Sequence, residues 1–204
     1  MKRSERLVDM TKYLMERPHT LIALPFFAKR YGAAKSSISE DLAILKHTLA
    51  SNQDGVLETV AGAAGGVRYI PFLGQKHAEK YLSDLSSRIE DPSRILAGGF
   101  VYLSDILGDT QDLRRIGELI ATRYAYEDVD AVMTVETKGI ALAQAIARYL
   151  NVPFVTARKR SKVTEGATVS VNYISSSLSR VSKMELPTRA LKKGSKVLIV
   201  DDFM

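Results

Sequence analysis

Residues 131–150 read AVMTVETKGIALAQAIARYL, and this stretch decides the class of fold. Its first five residues are apolar and predict a buried strand, whereas GIALAQAIARYL, from Gly139 onward, predicts a helix. A short apolar strand that passes through a turn into a helix is the repeating unit of an α/β domain. The stretch therefore predicts α/β architecture with a mainly parallel sheet.

The same alternation surrounds this stretch. It predicts helices at 77–88 and 112–126 and short apolar strands at 100–103, 153–157 (PFVTA) and 196–200 (KVLIV). Residues 158–183 depart from it because they are polar, basic and rich in serine. Their alternating pattern predicts an exposed β-hairpin with strands at 168–174 and 180–186.

The first 73 residues follow a different pattern. Three helices are predicted at 4–17, in LPFFAKRYG (24–32) and in KSSISEDLAILKHTLASN (35–52), followed by two short strands in VLETVAGAAGGVRYIP (56–71). Ser37 with Glu40 three residues later is the pattern of a capping box for the third helix. Helix, helix, turn, helix and hairpin is the order of a winged helix-turn-helix. The predicted domains are therefore a winged helix at 1–73 and an α/β domain at 74–204.

Composition excludes several classes of protein. The 204 residues contain no cysteine and only three scattered histidines, so a disulfide scaffold, a cysteine zinc site and a histidine-rich metal site are not expected. No apolar run approaches the roughly 20 residues that span a bilayer. We expect a cytoplasmic protein without a membrane partner. The net charge of +6 favours an anionic partner.

The predicted third helix carries the candidate DNA contacts. In a helix-turn-helix the N-terminal residues of this helix face the base edges of the major groove, where small hydroxyl groups approach closely. The candidate DNA-binding residues are Lys35, Ser36, Ser37 and Ser39 on the helix, Lys2 and Arg3 as a basic arm, and Arg68 on the second strand of the wing. The alternative is a small accessory domain with solvated charges, since Glu40 and Asp41 beside the reading face would repel phosphate.

The predicted carboxyl ends of three strands carry residues suited to one ligand. Asp201 and Asp202 follow the last strand, where two carboxylates accept hydrogen bonds from vicinal ribose hydroxyls or hold Mg²⁺ through water. Thr137, Lys138 and Gly139 form a helix start that suits pyrophosphate. Arg158 and Lys159 follow strand 153–157 and add positive potential. Each signal alone has an ordinary alternative, such as an acidic turn or a surface lysine, but the three together favour a sugar phosphate or nucleotide.

The motifs VMTVETKGIALA, ARKRSKVTEGATVSVNYISSS and VLIVDDFM resemble those of a type I phosphoribosyltransferase domain. Together with KSSISEDL, GAAGGVRYIP and GGFVYLSDIL, they make the whole chain similar to the purine operon repressors of Gram-positive bacteria. The resemblance implies a homodimeric repressor of purine biosynthesis and salvage genes that binds double-stranded DNA.

By the same resemblance, the second domain keeps the phosphoribosyltransferase fold without catalysing transfer. It implies phosphoribosyl pyrophosphate (PRPP) as an inducer, with Mg²⁺ as an optional companion, and guanosine tetraphosphate as a competing ligand; no tightly bound cofactor is implied. The effector residues that it implies are Thr137, Lys138, Gly139, Arg158, Lys159, Asp201, Asp202 and Phe203, with Tyr102 on the pocket wall.

One departure from the family concerns the end of the sequence. The PRPP motif normally continues into a Gly-Gly-Thr-like loop, whereas this sequence stops at Met204, so we expect the sequence to cover only part of the protein. Two rival functions remain open at this point. They are a purine phosphoribosyltransferase with an N-terminal accessory domain and an RNA-binding regulator.

Overall fold

The chain is described from a computed structural model that covers residues 1–62, 64–160, 164, 166–175 and 180–202. It divides into two compact units. The first unit comprises Met1–Asp91, Glu118–Ala125 and Tyr149–Asn151, and the second comprises Pro92–Gly117, Tyr126–Arg148 and Val152–Met204. Each unit is described by itself.

The first unit is built from four helices and a β-hairpin. Its elements are α1 (Arg3–Met15), α2 (Leu24–Tyr31), α3 (Lys35–Asn52), β1 (Val56–Val60), β2 (Gly66–Ile70) and α4 (Gln75–Ile89). Strands β1 and β2 pair antiparallel, and an isolated bridge between Ile22 and Val67 extends the pairing to the segment before α2. This order confirms the predicted winged helix-turn-helix.

One hydrophobic core holds these elements together. Met10 of α1, Phe27 of α2 and Ile38 of α3 are fully buried in it. Leu57 and Val67 add one side chain from each strand of the hairpin. Because apolar residues recur at helical spacing, these side chains lie on one face of each helix. The core that they form therefore fixes the position of α3 in the domain.

The predicted capping box at Ser37 is wrong. Helix α3 begins at Lys35, with Ala34 as its N-cap in an extended conformation and without a side-chain cap. The preceding Gly32 ends α2 in the left-handed region, with φ +60°. The chain therefore turns early enough for the helix to start two residues before Ser37, which lies inside the first turn.

The second unit contains a parallel sheet. The chain after α4 forms a 3₁₀ turn (Pro92–Arg94), α5 (Ser104–Gly108), α6 (Thr110–Arg123), β3 (Ala131–Val135), α7 (Gly139–Leu150), β4 (Phe154–Ala157) and, after the hairpin, β7 (Val197–Ile199). The ends of α6 and α7, from residues 118 and 149, belong to the first unit. The strand order is β4-β3-β7, with β3 parallel to both neighbours. The predicted α/β architecture is confirmed.

Between β4 and β7 lies the predicted hairpin. Strands β5 (Thr168–Ser175) and β6 (Arg180–Pro187) pair antiparallel over eight residues each. Backbone hydrogen bonds in both directions join Arg158 to Glu185, at N···O distances of 2.9 and 2.7 Å. The hairpin is therefore tied to the chain that leaves β4.

The predicted strand at 100–103 is absent. Gly98 and Gly99 have φ of +86° and +78°, so the chain turns back on itself and Val101 makes only an isolated bridge with Ile95. Helix α6 also differs slightly from its prediction. It begins at Thr110 because the Asp109 carboxylate accepts hydrogen bonds from the backbone N–H groups of Gln111 and Asp112.

No helix in the described part of the chain is long and apolar enough to cross a membrane.

Candidate DNA-binding surface and effector site

The start of α3 presents its polar side chains to solvent. Lys35, Ser36 and Ser39 are exposed and Ser37 is half-buried, while the Ser39 hydroxyl donates to the Lys35 carbonyl at 3.0 Å. The opposite face of the helix, with Ile38, lies in the core. The geometry therefore leaves the predicted reading face free of core contacts, and its role in DNA binding stays a prediction.

Arg3 begins α1 rather than lying in an extended arm, and its role in DNA binding stays a prediction. The backbone N–H of Lys2 donates to the Glu5 carboxylate at 2.8 Å, which fixes the start of that helix. Arg3 Nε donates to Asp41 Oδ1 at 2.9 Å, and Arg3 Nη2 lies 3.4 Å from Glu40 Oε2. Arg3 therefore packs against α3 as a fixed cation.

Asp41 does not face the solvent as the sequence suggested. Its side chain is fully buried, and its second oxygen accepts from Arg6 Nε at 2.9 Å and lies 2.8 Å from Arg6 Nη2. Two guanidinium groups thus lie against this carboxylate and offset the repulsion of phosphate that was expected from Asp41. Arg6 was missed from the sequence, although its spacing of three residues from Arg3 places both on one face of a helix.

The wing cation has a partner as well. Arg68 Nε donates to Glu58 Oε2 at 2.7 Å, and the two residues are directly opposite each other in the hairpin. Part of the wing's positive charge is therefore offset, and Arg68 as a DNA contact stays a prediction.

Three parts of the second unit converge at the end of β3. A Cβ atom added to Gly139 would overlap the Thr134 hydroxyl and lie 2.7 Å from Asp201 Oδ1. Thr134 is fully buried at this point. The start of α7, the end of β3 and the chain after β7 therefore meet within van der Waals distance, as the strand order predicts for a ligand site. Only glycine fits at position 139.

The paired carboxylates are held close to each other. The backbone N–H of Asp202 donates to Asp201 Oδ1 at 3.0 Å. Burial raises the pKa of Asp201, and the carboxyl group of Asp202 raises it as well, against the lowering effect of that backbone hydrogen bond. Both side chains are half-buried. Two adjacent carboxylates repel each other. Sugar hydroxyls that donate hydrogen bonds, or a hydrated divalent cation, relieve this repulsion, so the pair suits such ligands.

Glu136, which the sequence reasoning missed, organises the cations at this edge. Its Oε1 accepts from the Lys159 backbone N–H at 2.9 Å and its Oε2 from Arg158 Nη1 at 3.0 Å. The Lys159 N–H has the largest effect and lowers the pKa of Glu136, burial raises it, and the Arg158 guanidinium lowers it further, so that the net shift is downward. The sequence pattern that indicates this role is a carboxylate directly after the predicted strand 131–135 and directly before Thr137, Lys138 and Gly139, the predicted pyrophosphate loop.

The other predicted effector residues in the described part of the chain are exposed or half-buried. Thr137, Lys138 and Lys159 are exposed, and Arg158 is half-buried against Glu136. Tyr102, 45% exposed, lies just before α5, where its carbonyl accepts from Arg94 Nη1 at 2.9 Å. Its place on a pocket wall stays a prediction. Phe203 lies outside the described residues.

Comparisons with known families match both halves of the chain. The family model described as "Bacterial purine repressor, N-terminal" matches residues 2–71, and the phosphoribosyl transferase domain model matches residues 104–204. The chain is thus a winged-helix protein with a phosphoribosyltransferase-type domain. It is 55% identical over 203 residues to the purine biosynthesis transcriptional repressor PurR of Bacillus subtilis, covering 100% of this chain and 71% of that protein. The chain therefore belongs to the bacterial purine repressor family.

Further comparisons agree with this assignment. The purine biosynthesis transcriptional activator PurR of Lactococcus lactis is 48% identical over 204 residues, covering 100% of this chain and 75% of that protein. Adenine phosphoribosyltransferase of Saccharomyces cerevisiae, 21% identical with a TM-score of 0.51, covers 61% of this chain and 72% of its own and shows the fold alone. Relatives that match the whole chain are named as transcriptional regulators, which confirms the prediction of a regulator rather than an enzyme.

Proposed function

We propose that this protein represses purine biosynthesis and salvage genes by binding double-stranded DNA through its winged helix, and that PRPP at the second unit releases the DNA. The observation that carries the proposal is the meeting of Gly139, Thr134 and Asp201 at one sheet edge in a chain whose full-length relatives regulate purine biosynthesis. Since one such relative is named a repressor and another an activator, the direction of regulation belongs to the proposal.

DNA binding is assigned to the exposed start of α3. Lys35 contacts phosphate, and the hydroxyls of Ser36, Ser37 and Ser39 face base edges or phosphate. Lys2, Arg3 and Arg68 add phosphate contacts around this helix.

PRPP is assigned to the edge at the end of β3. Thr137, Lys138 and Gly139 bind the pyrophosphate with the backbone N–H groups at the start of α7. Asp201 and Asp202 accept the ribose hydroxyls or hold Mg²⁺ through water, and Phe203 follows them in the same motif. Arg158 and Lys159 supply positive potential, and Tyr102 lines the wall. Guanosine tetraphosphate, also a polyphosphate on a ribose, competes for this edge.

Release of DNA requires that PRPP bind the DNA-free protein more tightly than the DNA-bound protein. By reciprocity, DNA then lowers the affinity for PRPP by the same factor. A ligand with equal affinity for both forms changes nothing.

The test is a fluorescence anisotropy titration of a duplex from a purine operon control region, with and without PRPP and Mg²⁺, at several stated salt concentrations. We expect tight binding that weakens steeply with salt and that PRPP weakens further. If the curve with PRPP overlies the curve without it while calorimetry detects PRPP binding, induction by PRPP is wrong.

Two variants separate the units. Lys35→Ala weakens DNA binding and leaves the affinity for PRPP unchanged, whereas Asp202→Ala leaves DNA binding and removes the response to PRPP. Lys12→Ala, an exposed lysine on α1, serves as the matched control for loss of one surface charge. The reverse pattern would mean that the two roles are exchanged between the units.

The same preparation tests the rival functions. Incubation with PRPP, Mg²⁺ and each purine base yields no nucleotide, and a duplex RNA of matched sequence binds more weakly than the DNA. We also propose a cytoplasmic homodimer, and light scattering of the full-length protein measures its mass.

A further inference from the structure

The buried carboxylate of Asp41 lies in the helix that is assigned to the major groove. Its side chain has 0% exposure, and its oxygens accept from Arg3 Nε at 2.9 Å and from Arg6 Nε at 2.9 Å. A carboxylate without water is stable in a fold only when its charge is compensated and its oxygens are hydrogen-bonded. Asp41 therefore holds both guanidinium groups in one orientation.

The two arginines differ in exposure. The Arg6 side chain is only 13% exposed, donates to Asp41 through Nε and lies 2.8 Å from the carboxylate through Nη2, so it compensates the charge. The Arg3 side chain is 50% exposed and bonds Asp41 through Nε alone. Arg3 Nη1 makes no hydrogen bond within the described residues, and the hydrogen bond from Arg3 Nη2 to the 69% exposed Glu40 is long, at 3.4 Å. Arg3 thus presents its outer edge to solvent.

The position of Arg3 suits a phosphate beside the groove. Arg3 contacts α3 at Glu40 and Asp41, which are five and six residues beyond Lys35, or about 8 to 9 Å along the helix axis. The major groove is about 12 Å wide and is bounded by phosphates. A cation beside the second turn of an inserted helix therefore lies where a strand of the DNA backbone passes.

We propose that Asp41 is a positioning residue for DNA binding, which fixes Arg3 through Nε so that its Nη groups bind a backbone phosphate. This inference rests on the proposed DNA binding by the first unit. A guanidinium held by a carboxylate on one edge retains two parallel N–H donors on another, the geometry that phosphate accepts best.

Asp41→Asn gives a sharp test because two physical effects have opposite signs. Removal of a negative charge near DNA strengthens binding through the general field, whereas loss of the fixed Arg3 orientation weakens it. We expect purine-operon duplex affinity to fall, by roughly the tenfold worth of one charged phosphate contact. Glu40→Gln, the matched control, removes the neighbouring charge and leaves affinity equal or higher. Tighter binding by Asp41→Asn would overturn the proposal.

A double-mutant cycle shows whether Asp41 acts through Arg3. Arg3→Ala alone weakens binding and reduces the slope of log affinity against log salt by about one. In the Arg3→Ala background, Asp41→Asn causes no further loss of DNA affinity, but it still lowers the melting temperature because Arg6 loses its partner. Equal losses of DNA affinity in both backgrounds would contradict a role through Arg3.

The proposal stays testable if Asp41→Asn does not fold. Arg3→Ala and Arg3→Lys change a half-exposed side chain, and both are expected to bind DNA more weakly, since lysine lacks the second donor edge. Unchanged affinity and salt slope in both would refute the inference while wild-type binding still upholds the proposed function. No binding of the duplex by the wild-type protein would refute both.

Discussion

Gly139 shows how a single missing side chain shapes the effector site. The backbone at the start of α7 lies against the buried Thr134 hydroxyl and the Asp201 carboxylate, so any Cβ would displace one of them. Close approach of backbone to ligand is also what an anion site at a helix start needs. The same substitution therefore affects packing and ligand binding together.

Gly139→Ala is expected to weaken PRPP binding about tenfold, because overpacking of this kind costs about 1–3 kcal/mol and moves Asp201. Calorimetric titration with PRPP measures the loss, and duplex DNA binding stays intact. Gly108→Ala is the control, since a Cβ there meets open space. Equal PRPP affinity in all three proteins would argue against an effector site at this edge.

His19 is expected to make the stability of the first unit depend on pH. Burial lowers its pKa from the ordinary 6.5, with Arg68 lowering it further and Glu58 and the Tyr149 backbone raising it. A lowered pKa means that the unfolded chain binds the proton more readily. The contribution of His19 to stability is therefore complete above about pH 6.5 and is lost as the pH falls toward the folded pKa.

His19→Gln is expected to flatten the decline in stability between pH 7.5 and pH 5.5, measured by urea unfolding at both values. His47→Gln changes an exposed histidine and should keep the wild-type slope. If the free energy of unfolding of His19→Gln falls with pH as steeply as that of the wild type, other groups cause the pH dependence.

At the scale of elements, the loop after β3 is joined to the hairpin β5–β6 through the end of β4. Glu136 bonds the Lys159 N–H and the Arg158 guanidinium, and Arg158 pairs its backbone with Glu185 of β6. Three elements that are distant in sequence thus share one small hydrogen-bond network. A ligand that orders the loop is expected to order the base of the hairpin as well.

Glu136→Ala is expected to speed amide exchange at Lys159 by about tenfold, since its lost hydrogen bond is worth about 1 kcal/mol or more. Exchange at Glu185 should speed up less, because its N–H keeps the Arg158 carbonyl as acceptor. Hydrogen exchange followed by mass spectrometry measures this rate. Glu136→Gln retains an acceptor for the Lys159 N–H, so its exchange rate should lie between those of the wild type and Glu136→Ala. Glu127→Ala, which breaks the exposed pair with Lys196, should match the wild type.

At the scale of the whole molecule, the first unit takes in segments far along the chain. The backbone N–H of buried Leu73 donates to the Thr122 hydroxyl of α6 at 2.9 Å, and Asn151 Nδ2 donates to the Thr20 hydroxyl at 3.1 Å. Residues 118–125 and 149–151 therefore pack with the winged helix. The predicted domain boundary at residue 73 stays a prediction.

Thr122→Val is expected to destabilise the chain by about 1–3 kcal/mol, because it leaves the Leu73 N–H buried without an acceptor. Urea unfolding measures the change. Thr122→Ser keeps the hydroxyl and should stay near the wild type, whereas wild-type stability in Thr122→Val would show that the hydroxyl is not needed by the Leu73 N–H.

The sequence by itself determined the elements that depend on local spacing. The strand at 131–135 and the helix from Gly139 have the bounds that the pattern predicts, and the order of three helices and a hairpin was sufficient for the winged helix. Hydrophobic periodicity is a local property, and core packing enforces it. The chemistry after β3 and β7 was also readable, because the ends of parallel strands meet at one edge.

Only the tertiary structure decided which charges meet. Asp41 and Arg3 are 38 residues apart, and Glu136 and Arg158 are 22 apart, so no local spacing predicts their pairing. The cap of α3 was likewise decided by the fold, since Ala34 rather than Ser37 is its N-cap, although the bounds 35–52 match the prediction. Burial converts an acid that would repel DNA in solution into one that holds a cation in place, and burial is a property of the folded chain alone.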